Sequence, residues 1–252
     1  MRLSQVGVSA DALTFMFAHE FVPERYHEEE LLSGVEHSLQ YPTRAPITGH
    51  YIDRNQIAVS VLFSTFADLY LRGSLLLTWE EVEKLWSSRW LYTFLRDHFR
   101  YRRYLLYAKK DGSFPNSPLN RAIDEVFEEA LYPSSPYLTQ PRYPVAHIIR
   151  KIMAKRGRDR NPYKEILLWV GDELIEEGFY VESTDAVVGV VPVAQLHPDV
   201  ERMLTLENRA AELKARLERF QQREPELYQA LYDTVSRTLE ELNILYQRRF
   251  GL

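Results

Sequence analysis

The sequence predicts a mainly α fold: a helical domain with a winged-helix-like helix plus β-hairpin and a C-terminal helical hairpin. Residues 55–71 are apolar around nearly the whole helical circumference, which is typical of a central buried helix. Residues 161–193 read as a capped helix followed by two β-type runs. Residues 206–245 place apolar side chains at steps of three and four, which indicates two more helices.

The N-terminal part of the chain has the weakest pattern. We expect short helices over 12–21 and 28–39, followed by a loop rich in proline and glycine. Because no clear linker separates this part from the rest, we expect it to pack on the core. The predicted organisation has three parts: an N-terminal segment (1–54), a mainly helical core (55–196) and a C-terminal helical hairpin (197–252).

The stretch after the buried helix is predicted to be a short strand and then more helix. Residues 74–77 favour the strand, and Thr78 followed by Glu81 forms a capping box. Apolar residues then keep roughly helical spacing, so we expect one long helix or two broken ones over 79–110.

Two further helices are expected before the helix–hairpin unit. Ser117 suits the cap and Pro118 the first turn of a helix that runs to Leu131. Four prolines in 132–144 indicate an extended surface connection, and a helix over 145–155 follows it.

The helix–hairpin unit has clear local signals. Asn161 can cap a helix that runs to Glu177, and Gly178 is a natural stop. The β-type runs 179–181 and 186–191 flank residues 182–185, which we interpret as a hairpin turn.

The C-terminal part is predicted to be two helices separated by Pro225. The simpler interpretation is a helical hairpin folded back on the domain. A dimerising coiled coil is the alternative, although each arm holds only two to three heptads. A protein partner or a second copy of the chain would then bind through 206–246.

Composition narrows the classes of function. The chain is 45% hydrophobic and 27% charged, carries a formal net charge of −5 and has no cysteine. Disulfides, thiolate metal sites and a cysteine nucleophile are excluded, and bulk charge does not favour binding to nucleic acid. No run of 18 apolar residues and no signal-peptide pattern is present, so we expect no transmembrane segment and a cytoplasmic location.

Two clusters of basic residues are candidate anion-binding sites. The first contains Arg100, Arg102 and Arg103 and is interleaved with aromatic residues, a combination that suits lipid head groups or single-stranded nucleic acid. The alternative is a helix with buried aromatics and solvated cations.

The second basic cluster surrounds the start of the helix at Asn161. It contains Arg150, Lys151, Lys155, Arg156, Arg158 and Arg160, with Lys164 in the first turn of the helix. A helix N-terminus itself attracts anions such as a phosphate-bearing ligand. The alternative is an exposed basic turn without a ligand.

The other classes of site have less support. A winged-helix nucleic-acid-binding regulator is the second hypothesis. It ranks lower because the helix after Asn161, which would enter the major groove, carries five acids and would repel DNA. The sequence has no Gly-rich phosphate loop, no GxSxG motif and no metal-ligand spacing of histidines. We therefore expect no catalytic residues, no metal and no cofactor.

Three short segments resemble the Golgi-phosphoprotein family. Residues 69–75 (LYLRGSL) are similar to its LALRGRL segment, 122–125 (AIDE) to its LLDEAL helix, and 174–179 (LIEEGF) to its LVEKGVL segment before a hairpin. The resemblance implies a shared fold over about 55–193. Eukaryotic members bind phosphatidylinositol 4-phosphate as peripheral membrane adaptors. The arginines of that pocket match Lys164, Leu167 and approximately Leu62 here, so only one position stays cationic.

These observations favour a non-enzymatic cytoplasmic adaptor that associates with an anionic membrane surface, as a peripheral membrane protein, or with a protein partner.

Overall fold

The computed structural model describes residues 8–23, 44–84, 101–129, 142–156, 160–188 and 191–250. The fold is mainly helical, as predicted. The helices are α1 Ala10–Met16, α2 Ala18–Phe21, α3 Arg54–Leu71, α4 Pro118–Glu129, α5 Val145–Arg156, α6 Pro162–Glu176, α7 Val200–Leu204, α8 Glu207–Arg223 and α9 Pro225–Phe250. The strands are β1 Leu75–Lys84, β2 Tyr101–Lys110, β3 Arg142–Pro144, β4 Tyr180–Val188 and β5 Val191–Pro198.

Helix α3 is the centre of the fold, which confirms the prediction of a buried helix. Asp53 caps it, because its Oδ1 accepts hydrogen bonds from the backbone N–H groups of Asn55 (2.8 Å) and Gln56 (3.2 Å). Ile57, Leu62 and nearly every other apolar side chain of α3 are buried. Helices α1, α6, α8 and α9 and strand β1 pack around it.

The helix predicted over 79–110 is wrong for the residues that the structure describes. Strands β1 and β2 pair antiparallel instead, from Leu75 opposite Lys110 to Lys84 opposite Tyr101, and β3 adds to the other edge of β2. The proposed capping box at Thr78 lies inside β1. Leu75 and Leu77 are buried whereas Leu76 is exposed, so the side chains alternate with the period of a strand. Residues 85–100 lie outside the described part of the chain.

The helix-plus-hairpin unit is confirmed, but its turn is not where we predicted it. Gly178 ends α6 with φ +74°, and β4 and β5 then pair antiparallel from Tyr180 opposite Pro198 to Val188 opposite Val191. Residues 182–185, the predicted turn, lie within β4, where the register shifts between Ser183 and Ala186. A register shift of this kind accommodates turn-forming residues without ending the strand. The strands are joined at 189–190, outside the described residues.

The C-terminal hairpin folds back on the domain, as the simpler interpretation predicted. The inward stripe of α8 is buried at Ala210, Leu213, Leu217 and Phe220. Helix α9 packs against α3, α5 and α6. Association with a second copy stays a prediction.

The other predicted helices are confirmed where the structure describes them. Helices α1 and α2 cover the helix expected over 12–21, and α5 covers 145–155. Helix α4 begins at Pro118, and the Oγ of Ser117 accepts a hydrogen bond from the backbone N–H of Asn120 (3.1 Å). The helix expected over 28–39 lies outside the described residues. The division at 54 and 196 stays a prediction.

Candidate functional site

Of the first basic cluster, the structure describes only two residues, and only their backbone. Arg102 and Arg103 are neighbours in β2, opposite Glu83 and Val82 of β1. Arg100 lies outside the described residues. The sequence predicted that this cluster lies on a helix. That prediction is wrong for Arg102 and Arg103, which lie on a strand.

Two cations of the second basic cluster bind carboxylates of this chain. Arg150 contacts Glu241 (2.6 Å) on α9, and Lys155 lies between two acids of α4, Glu125 (2.9 Å) and Glu129 (2.8 Å). Burial acts to lower the pKa of Lys155, but the hydrogen bonds to Glu129 and Glu125 outweigh it, and the pKa is raised. These pairs tie α5 to α4 and α9 and neutralise much of the positive charge on this side of the helix.

The start of α6 binds groups of its own chain. The Oδ1 of Asn161 accepts a hydrogen bond from the backbone N–H of Lys164 (3.1 Å). Nη1 of Arg160 lies 3.3 Å from Oε1 of Glu165, whose side chain is buried. The buried carboxylate of Glu165 therefore lies where an external anion would have to compete for Arg160. Arg156 ends α5, and Arg158 lies outside the described residues.

Helix α6, the helix that would read DNA in a winged-helix protein, is deeply packed. It contacts α1, α3, α4, α5 and α9. Its most exposed residues are Asp172, Ile175 and Glu176. An acidic surface of this kind repels the phosphate backbone.

The C-terminal end of α9 combines exposed apolar and cationic residues, and it is not among the sites that we predicted. Ile244, Leu245 and Phe250 expose 39%, 61% and 50% of their surface. Arg248 and Arg249 are also exposed, and residues 244–250 contain no acid. We refer to residues 244–250 as the helix tip.

The apolar residues of the helix tip lie around the circumference of the helix. At about 100° per residue, Leu245 is about 100° from Ile244, and Phe250 is about 240° from it. A protein groove recognises one stripe along a helix, with residues at steps of three, four and seven. Tyr246 and Phe250, four residues apart, lie on one face with their ring centroids 5.0 Å apart, but Ile244 and Leu245 lie outside that stripe. The tip resembles a segment that enters an apolar medium end-on.

The position of the helix tip is fixed by the residues just before it. Glu241 binds Arg150 of α5, and the Oδ1 of Asn243 accepts a hydrogen bond from Nδ2 of Asn161 (3.2 Å). Leu239 is the last fully buried residue of the helix. The tip therefore projects from an anchored helix. The sequence continues its apolar spacing past Leu239, and only the end of the core leaves these residues exposed.

Two further kinds of site are absent from the part of the chain that the structure describes. None of the described helices combines the length and the apolar character that a membrane crossing requires. Nor does any group of three or more histidine, aspartate and glutamate side chains in the described ranges suit a metal ion.

The positions that match the lipid pocket of the Golgi-phosphoprotein family do not form a pocket here. Leu62 and Leu167 are buried in the core, and Lys164 is half-buried in the first turn of α6. Comparisons of the chain with protein-family models, curated protein sequences and solved structures find no match. The resemblance to that family stays a prediction.

Proposed function

We propose that this protein is a non-enzymatic cytoplasmic adaptor that associates with an anionic membrane surface through the tip of α9. The observation that carries the proposal is the combination of exposed Leu245 and Phe250 with exposed Arg248 in a segment without acids. Apolar side chains at a helix end can enter the interface of a bilayer, and neighbouring cations attract acidic lipids.

The charge distribution supports the same role. The chain as a whole is acidic, with a formal net charge of −5. It is therefore repelled by an anionic surface except where cations are concentrated. Arg150, Lys155 and Arg160 bind carboxylates of the chain. The tip would therefore orient the protein, with the long axis of α9 directed at the membrane.

Vesicle flotation tests this proposal. We expect the protein to float with vesicles that contain phosphatidylserine at low salt, and to float less with phosphatidylcholine vesicles or at high salt. The double variant Leu245→Gln/Phe250→Ser should abolish flotation. Arg248→Gln should reduce the partition coefficient about fivefold, since one cation near an acidic surface contributes about 1 kcal/mol.

The control is Arg237→Gln, which removes an exposed arginine from the same helix two turns before the tip. It should float like the unmodified protein. The absence of flotation with anionic vesicles at low salt would overturn the membrane role. Equal flotation of the unmodified protein and of Leu245→Gln/Phe250→Ser would exclude the tip as the contact.

A further inference from the structure

Two acidic side chains meet inside the protein where α1 packs on α4 and α6. Asp11, in the first turn of α1, is only 1% exposed. Ser9, the N-cap of α1, donates a hydrogen bond from Oγ to Oε1 of Glu173 on α6 (3.1 Å). Ser117, the residue before α4, donates from Oγ to Oδ2 of Asp11 (3.3 Å). We refer to Asp11 and Glu173 as the carboxyl pair.

The carboxyl pair has too few hydrogen-bond donors for two negative charges. Each serine supplies one hydroxyl proton, and each proton serves one oxygen. The other two oxygens, Oδ1 of Asp11 and Oε2 of Glu173, are buried and have no well-formed hydrogen bond within the described residues. The backbone N–H groups of Asp11 and Ala12 lie near Asp11 and favour its charged form, but burial outweighs them. A buried carboxylate without donors is strongly disfavoured, whereas a protonated carboxyl group is neutral and can itself donate.

The charges around the pair do not compensate for this shortage. Glu177, the C-cap of α6, adds a third negative charge near Glu173, and Arg121 of α4 opposes it from an exposed position. Helix α3 faces α1 with the neutral hydroxyl of Ser64, which accepts a hydrogen bond from Thr14 (2.7 Å). From α8, Arg209 approaches α1 but donates to the carbonyl oxygen of Val8 (2.9 Å) rather than to a carboxylate.

Burial raises the pKa of Asp11. Burial, and after it the charge of Asp11, raises the pKa of Glu173 from its ordinary value of 4.5 to about 8. Two carboxyl groups in one buried site cannot both ionise at low cost, which is the same physics that makes an acid pair share one proton. Because Asp11 is not accessible to an external ligand, we interpret the carboxyl pair as a group that controls the packing of α1.

We propose that the carboxyl pair is a pH-sensitive latch: it holds a proton while α1 is docked, and undocking of α1 releases that proton. The carboxyl pair is buried while α1 is docked and then binds a proton, whereas the pair becomes solvated when α1 undocks and then releases it. Undocking therefore becomes easier as the pH rises, by up to about tenfold per pH unit. Leu13, Phe15 and Met16 are buried in the docked state and become accessible when α1 leaves. The inference is independent of the proposed membrane contact.

Hydrogen exchange of the intact protein between pH 5.5 and 8, corrected for the intrinsic dependence of amide exchange on pH, tests the latch. In the unmodified protein we expect protection of α1 and of the facing part of α6 to fall with rising pH. Protection of α3, the central helix, should stay higher than that of α1 at every pH, because α3 exchanges only when the whole domain unfolds. Glu173→Gln removes the ionisable group at residue 173 and should greatly reduce the pH dependence of α1 protection, and Asp11→Asn should reduce it as well.

Glu176→Gln is the matched control, because Glu176 is an exposed acid on the same helix. It should behave like the unmodified protein. The same pH dependence in Glu173→Gln and the unmodified protein would overturn the proposal. Equal protection of α1 and α3 at every pH would also overturn it, because α1 would then open only when the whole domain unfolds. Restoration of α1 protection at pH 8 by millimolar Mg²⁺ or Ca²⁺, in the unmodified protein alone, would overturn it in favour of a cation site.

Discussion

Asp68 of α3 is buried, and Nη2 of Arg216 on α8 lies 2.9 Å from its Oδ1. The approach does not have the direction of a hydrogen bond, so the contact is mainly electrostatic. Arg72 binds the other oxygen, Oδ2, at 2.6 Å. The carboxylate thus joins the C-terminal hairpin to the central helix.

Removal of Arg216 should destabilise the protein. In Arg216→Met the buried carboxylate keeps Arg72 but loses the cation on Oδ1. We expect the free energy of unfolding to fall by about 1–3 kcal/mol. Urea denaturation followed by circular dichroism measures it. The control Arg237→Met, at an exposed site on α9, should stay within about 0.5 kcal/mol of the unmodified protein. Equal losses in both variants would show that the contact with Asp68 contributes nothing.

The two glycines of the helix–hairpin unit should respond to alanine with opposite signs. Gly178 has φ +74°, and a Cβ there would lie 2.8 Å from Nη1 of Arg202, so Gly178→Ala should destabilise by at least about 1 kcal/mol. Gly171 lies within α6 with no atom near a new Cβ, so Gly171→Ala should stabilise by about 0.5–1 kcal/mol. Thermal unfolding of both variants measures the two changes in stability. A stabilising Gly178→Ala would contradict the described turn.

Global stability should depend on the ionisation of Glu173. Its pKa is about 8 in the folded protein and its ordinary value is 4.5, so the folded state binds a proton that the unfolded chain releases. This contribution to stability is complete below pH 4.5 and is lost as the pH rises to about 8. Urea midpoints at several pH values should therefore fall over this window. In Glu173→Gln the fall should be smaller, and an unchanged slope would refute the assignment.

Substitution of two leucines of α9 should distinguish the packed part of the helix from its exposed tip. Leu239 is fully buried, so Leu239→Ala should cost about 2–5 kcal/mol of unfolding free energy. Leu245 is 61% exposed, so Leu245→Ala should change stability by less than about 0.5 kcal/mol. Urea denaturation compares the two. A large loss in Leu245→Ala would mean that the tip is packed against the domain.

Local signals predicted the helices well because their ends depend on neighbouring residues. Asn161 caps α6 and Gly178 ends it, as expected. The strand predicted over 74–77 marks the start of β1, but the rest of β1 and all of β2 were missed. The helix was predicted there from the roughly helical spacing of Val82, Leu85, Trp86, Leu91, Phe94 and Leu95, although the stretch is also rich in aromatic residues, which favour strands. Packing decides between the helical period and the strand period. Here Leu106 and Ala108, two residues apart, are both buried in the core, which is the period of a strand.

The candidate sites depended on pairings that no local pattern contains. Arg150 looked like part of a basic cluster, yet its partner Glu241 lies on a helix far along the chain. Glu173 looked like one more solvated acid of α6, and only the fold places it beside Ser9 and Asp11. The basic clusters were visible in the sequence, but their neutralisation by tertiary contacts was not.

The contacts that hold α1 also determine when the protein can finish folding. Val8 is bound by Arg209, Ser9 binds Glu173, and α2 is joined to α8 by the ion pair of Glu20 with Lys214 (2.6 Å). Helix α3, which packs on α1, is synthesised soon after it, but Glu173 and Arg209 lie 164 and 201 residues beyond Ser9 and Val8. Part of the apolar surface of α1 therefore lacks its partners until those later segments are synthesised. Docking of α1 is therefore complete only after α6 and α8 have been synthesised, and until then its buried side chains stay partly open to chaperones and proteases.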